Sequence, residues 1–239
     1  MLRKLAALLL MMPGLTAGTA CASEAAIRQA FQSKISEMTV ESVSKSAMPG
    51  LYEVVANGQI FYVDEKVNFV IRGVLFDART PELRNVTAAR NAELNAAVLR
   101  KSTDQAIKRV RGNGKRVLYT FEDPNCGYCR QLQKELLKVN DITIYTFLWP
   151  ILSPDSVAKS KAVWCSRDRA RAWDDLMSNG VVPQNDARCD TPIEKNMELA
   201  QRFGVRGTPA VFLADGRTIG GFVAADKIEE AFSKPVVSK

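Results

Sequence analysis

Cys126-Gly127-Tyr128-Cys129, near the middle of the chain, sets two thiols three positions apart, the spacing of a dithiol that can close on itself and reopen. The motif follows Phe121-Glu122-Asp123-Pro124-Asn125, where a strand runs into a loop, and a helix is expected to begin at or next to the first cysteine. Free amide N–H groups and the positive end of the macrodipole favour an anion there. Cys126 is therefore expected to be an attacking thiolate with a lowered pKa, and Cys129, one turn in, a shielded resolving thiol. Lowering a thiol pKa from about 8.5 to about 6 raises its thiolate fraction at neutral pH roughly thirtyfold, while a Brønsted slope near 0.45 takes back roughly thirteenfold in nucleophilicity. Attack gains little. The larger effect is that Cys126 becomes a good leaving group and the reduced form is stabilised, so the disulfide is oxidising. Other readings of a Cys-x-x-Cys are half a zinc knuckle or an inert short-loop disulfide. Zinc needs four ligands, the chain has no histidine, and Cys165 and Cys189 lie 23 intervening residues apart without a second Cys-x-x-Cys, so neither metal nor cofactor is expected. Glu122 and Asp123 either raise the Cys126 pKa or stand as solvated loop charges, and the second reading is favoured.

The elements that must position these sulfurs belong to a chain of 239 residues, 46% hydrophobic and 25% charged, long enough for one large or two modest domains. Its start reads as a signal peptide over residues 1–22: Arg3 and Lys4, then an apolar run from Leu5 to Met12, then Ala20-Cys21-Ala22 as a small-x-small cleavage site. A disordered tail is the bland alternative, and a lipoprotein site at Cys21 is disfavoured by Gly18 three residues before it. An apolar run of about eight residues is too short to span a bilayer, and no membrane anchor is expected. Loss of the signal takes the formal charge from +7 to +5, from 31 basic and 26 acidic residues, scattered without aromatic interleaving, so no nucleic-acid partner is expected. It also leaves four cysteines, an even number suited to an oxidising compartment. The lack of histidine excludes Ser-His-Asp triads and Cys-His proteases.

Helical spacing of Ile27, Ala30, Phe31 and Ile35 predicts a short first helix. Strands are expected over Leu51–Ala56 and Gln59–Val63, turning at Asn57-Gly58, with a third over Val67–Phe76. This unit, residues 23–84, has a marginal core and would gain from pairing with a second copy. An Ala-rich linker helix is expected over 85–109, with Asn85 or Thr87 as its cap, broken by Gly112-Asn113-Gly114. A domain over 110–239 then reads as α/β: strand Val117–Phe121, the cysteine motif, helix Arg130–Val139, strand Ile142–Phe147, a helical stretch holding Trp164 and Trp173, and a helix near Glu194–Phe203. A hairpin (Ala210–Leu213, Arg217–Gly221) and a closing helix, Ala224–Phe232, end it.

Cys-Gly-Tyr-Cys, Gly207-Thr208-Pro209-Ala210 before a strand, and Ala162-Val163-Trp164-Cys165 in the helical insertion together resemble the DsbC/DsbG family of periplasmic disulfide isomerases, on its DsbC side. The resemblance spans nearly the whole mature chain. It implies a thioredoxin-fold catalytic domain, a small α+β N-terminal dimerisation domain, and catalysis by Cys126 and Cys129 with Gly127, Tyr128, Thr208 and Pro209 contacting substrate. Thr208-Pro209 would carry a cis peptide bond, the alternative being an ordinary strand-entry proline. Cys165 and Cys189 would form a structural disulfide contributing on the order of 3 to 4 kcal/mol, the alternative being two buried free thiols. V-shaped homodimers, misfolded disulfide-containing exported clients and a DsbD-like membrane reductant are further implications. A dithiol oxidase or reductase on the same fold and a thiol-independent chaperone are the rival functions.

Overall fold

The computed structural model describes residues 24–234, so the expected signal segment and Cys21 lie outside the described residues. Helix α1 (Glu24–Lys34) lays Ile27 and Phe31 on a sheet of β1 (Val40–Lys45), β2 (Leu51–Ala56), β3 (Gln59–Asp64) and β4 (Val70–Ile71), antiparallel in that order. Asn57 and Gly58 take φ of 47° and 74° in the β2–β3 turn, as a tight hairpin of this hand requires. Val43, Val54, Phe61 and Val63 close the core against α1.

Two expectations need correction here. Val40–Lys45 is a strand that hydropathy did not mark, because only Val40 and Val43 of its six residues are buried. Val67–Phe76 is not one strand. The chain turns between Asp64 and Val67, whose N–H reaches the Asp64 carbonyl at 2.9 Å with φ of 53°, so pairing with β3 begins only at Val70. Phe76–Asp77 (β5) instead pairs with Arg84–Asn85 (β6).

The linker helix α2 (Val86–Lys101) starts where the Asn85 side chain accepts from Ala88 N–H at 2.8 Å. Its expected extension to residue 109 is overturned. Ser102 returns its hydroxyl to the Val98 carbonyl, Thr103–Gln105 form a single tight turn, and Ile107–Arg111 become strand β7. Gly112-Asn113-Gly114 is thus a turn inside the second sheet, not its border. With β8 (Arg116–Glu122), β9 (Ile142–Leu148), β10 (Ala210–Leu213) and β11 (Thr218–Gly220), that sheet runs β11-β10-β8-β9-β7, with β8 and β9 parallel and the rest antiparallel.

Strand alternation gives the sheet two faces. On one, Leu118, Ile142, Ile144 and Val211 pack under α3 (Gly127–Leu136) and α7 (Ala225–Ser233). On the other, Tyr119, Phe121, Phe147 and Phe212 meet Leu99 of α2 and Leu199 of α6 (Ile193–Arg202). The Phe121 and Phe147 rings stack at 4.8 Å. The insertion is a helix pair, α4 (Pro154–Trp164) and α5 (Arg169–Asn179), whose Trp164 and Trp173 pack with Ile107 and Leu148 around the two cysteines. Among the described residues no helix is long and apolar enough to cross a membrane.

Candidate active site

Helix α3 begins at the motif because Cys126 is its N-cap: extended backbone, with the sulfur accepting from Cys129 N–H at 3.3 Å. The same thiol donates to the Thr208 carbonyl at 3.2 Å, so the loop before β10 lies directly against it. The Thr208-Pro209 peptide bond is cis. Both thiols are free, but their settings differ: Cys126 keeps 5% of its surface and Cys129 none. Burial pushes the Cys129 thiol far up, and the nearby Glu122 carboxylate raises it further.

Exposed apolar side chains flank the motif. Gly127 and Tyr128 are exposed, and the Tyr128 ring faces Phe222 at 6.4 Å between centroids. Ile151 and Leu152 are also exposed on the loop between β9 and α4. A groove of about 1050 Å³ leads from Thr208 and Pro209 past Gly220 and Gly221 toward Ile60 and Val74 of the N-terminal unit. Cys165 and Cys189 are joined in a disulfide across the insertion, with Cα atoms 5.7 Å apart and far from the dithiol in sequence.

The two acids before the motif are not solvated loop charges: both are fully buried. Asp123 fastens the loop. Its carboxylate accepts from Asn125 N–H at 2.7 Å, Ser156 Oγ at 2.8 Å and Leu152 N–H at 2.9 Å, and its carbonyl accepts from Cys126 N–H. Asn125 extends this tie by donating to Ser153, Asp155 and Ser156 and accepting from Lys159 Nζ at 2.8 Å, so the residue before the first cysteine is held to the start of α4. Glu122 points the other way, under α3. Thr120 Oγ1 and Gln133 Nε2 donate to it at 2.7 and 2.8 Å; burial raises its pKa, opposed by the charge of Arg109 and by these hydrogen bonds. The sequence offers these acids only an effect on Cys126 or a place as solvated loop charges, and neither describes their burial and anchoring. The available signal was parity: Leu118, Thr120 and Glu122 alternate onto one face of a buried strand.

Comparison with known proteins gives a consistent picture. A family model described as a thioredoxin-like domain matches residues 103–234, and one described as the disulfide bond isomerase protein N-terminal domain matches residues 18–88. The probable thiol:disulfide interchange protein DsbC of Bordetella parapertussis is 41% identical over 205 residues, covering 85% of this chain and 72% of that protein. The thiol:disulfide interchange protein DsbC of Escherichia coli K12 is 29% identical over 219 residues, 89% of either chain. Among solved structures, a disulfide interchange protein from Neisseria gonorrhoeae is 42% identical with a TM-score of 0.52, covering 54% of this chain and 94% of that one.

Proposed function

Given that the chain belongs to the DsbC family and is a thiol:disulfide isomerase, we propose that Cys126 is its attacking sulfur, Cys129 its resolving sulfur, and exported proteins in the periplasm its clients. The observation that carries the assignment is the contrast between the two thiols. Cys126 caps a helix, reaches the surface and lies against Thr208, whereas Cys129 is enclosed one turn behind it.

The Cys126 thiolate attacks a wrong disulfide. A bond forms to one client sulfur as the client's own S–S bond breaks, and the other sulfur leaves as a thiolate. A client thiolate then re-pairs and displaces Cys126, which leaves the enzyme reduced and the exchange redox-neutral. If re-pairing stalls, Cys129 attacks Cys126 and releases the client reduced by two electrons. The Cys126–Cys129 disulfide so formed needs an external dithiol, the role of a DsbD-like membrane reductant. Gly127, Tyr128, Thr208 and Pro209 frame the sulfur and offer the client an apolar surface and a backbone edge. Cys165–Cys189 holds the insertion and takes no part in exchange. Two chains join through their N-terminal units, a reading supported by the short edge strand β4 and the exposed Phe69, Ile71, Val74 and Phe76 around it.

The test is Cys129→Ala. The mixed disulfide between Cys126 and client should then persist and be captured from periplasmic extracts under non-reducing conditions, and Cys126→Ala should capture nothing. Equal capture by both variants would remove the assignment of the two sulfurs.

A further inference from the structure

The groove beside Thr208 and Pro209 carries a charge that the exchange steps do not use. Among the described residues four arginines line it, Arg72, Arg202, Arg206 and Arg217, and no carboxylate does. Two of the four are already neutralised. Arg202 holds both oxygens of Glu41 at 2.6 and 2.7 Å, and Arg217 pairs with Asp215 at 2.7 Å. Arg72 adjoins Ile71 on the edge where a second chain is proposed to join. Arg206 differs from all three. It is exposed, has neither a carboxylate nor a hydrogen-bond partner among the described residues, and stands two positions before Thr208, whose carbonyl accepts from the Cys126 thiol at 3.2 Å.

A second arginine stands on the helix side of the sulfur. The Arg130 backbone N–H donates to the Cys126 carbonyl at 3.2 Å, and its guanidinium reaches only the Pro124 carbonyl, at 3.3 Å, and no acid. The acids around the motif are committed elsewhere: Glu122 and Asp123 are buried, and Asp155 pairs with Lys159 at 2.6 Å. The wall of the groove is largely backbone. Gly207, Gly220 and Gly221 line it, and a Cβ at Gly207 or Gly220 would meet nothing within 4 Å. Strand β11 ends its sheet, so its outer edge has no strand partner among the described residues. A free edge of this kind accepts an extended chain.

Resting on the attacking role given above to Cys126, we propose that this groove takes an extended client segment with a carboxylate close to the cysteine under attack, and that Arg206 selects it, with Arg130 adding to the attraction. Two residues of backbone separate Arg206 from Thr208, at most ~7 Å, and an extended client advances ~3.3 Å per residue. The favoured acids therefore fall within about three residues of the client cysteine. A lysine in those positions meets like charge, so the same residue discriminates against basic segments.

The full chain carrying Cys129→Ala is mixed with matched peptides whose single cysteine is joined to 2-mercaptoethanol and flanked by glutamates, glutamines or lysines. Attack by the Cys126 thiolate forms a bond to the peptide sulfur and releases mercaptoethanol as a thiolate, and mass detection after acid quench times that adduct. Each rate is taken relative to attack on the same peptide by a free neutral thiol. At low salt the glutamate peptide should react about tenfold faster than the lysine peptide, with the glutamine peptide between them, and the gap should narrow as salt is raised. Adding Arg206→Gln should shrink the gap to about threefold or less and leave alkylation of Cys126 by uncharged iodoacetamide within about twofold. Arg171→Gln removes an equal charge from the exposed surface of α5 and should leave the gap in place. Equal rates for the three peptides, a gap that Arg206→Gln leaves unchanged, or one that Arg171→Gln shrinks as much, overturns the proposal. A matching fall in alkylation with Arg206→Gln also overturns it, because the arginine would then act on the sulfur and not on the client. Absence of adduct with every peptide would instead refute the attack by Cys126.

Discussion

At Cys126 and Cys129 three positions of separation become a difference of environment: one sulfur caps a helix at the surface and the other lies beneath it with no exposed area. Because burial, and then Glu122, push the Cys129 thiol upward, it stays protonated through neutral pH and ionises only well above it. Iodoacetamide should accordingly alkylate Cys126 alone in the reduced native protein from about pH 6 to about pH 8, with a second adduct at Cys129 only after denaturation. Peptide mass mapping reads this directly, and comparable labelling of both sulfurs in the native state would contradict the burial. The dithiol was legible in the sequence because its chemistry depends on local spacing and a helix start. The environment of the acids was not, since whether Glu122 is wet or dry depends on Arg109 and Thr146, which reach it only once β7 and β9 have paired. Asn125 shows the same limit: its partners Ser153, Asp155, Ser156 and Lys159 are some thirty residues away.

Among elements, those with a strong internal period were readable and those defined by their neighbours were not. The Asn57-Gly58 hairpin, α3, β8 and the β10–β11 pair stand where turn residues and apolar alternation put them. Ile107-Lys108-Arg109 carries no breaker and contains good helix formers, so it reads as the tail of the linker helix, and only pairing with β9 makes Ile107–Arg111 strand β7. In the helical insertion the Cys165–Cys189 bridge closes a loop of sequence separation 24 around α5. Replacing both cysteines by serine should lower unfolding stability by about 3 kcal/mol in chemical denaturation, through the greater freedom of the unfolded chain, and leave the Cys126 alkylation rate within about twofold. A large loss of alkylation rate would mean that the bridge supports the site as well as the fold.

At the scale of the whole molecule, the proposed pairing of two chains through their N-terminal units can be tested at the edge of the first sheet. The N-terminal sheet ends in β4, two residues long, with Phe69 73% and Ile71 48% exposed beside it. Phe69→Asp together with Ile71→Asp should convert a dimer to a monomer in sedimentation velocity, keep glutathione exchange at Cys126, and abolish refolding of a scrambled multi-disulfide client. A dimer that survives both substitutions would place the joining surface elsewhere.

Helix α2 is pinned at both ends. Near its start the Tyr62 and Thr87 hydroxyls meet at 2.6 Å and Arg90 pairs with Glu53 at 2.8 Å. Farther along, the backbone of Gly216 sits so close to Ala92 and Ala96 that a Cβ there would overlap them. Sixteen residues of helix make a strut ~24 Å long whose ends have a definite angular phase, about 100° per residue. One alanine inserted near Glu93 would therefore swing one unit around the strut relative to the other, parting the Thr208–Pro209 end of the groove from its Ile60 and Val74 end without altering either unit's own chemistry. Glutathione exchange should survive that insertion while client refolding is lost, and four inserted residues, close to one full turn, should restore much of the alignment.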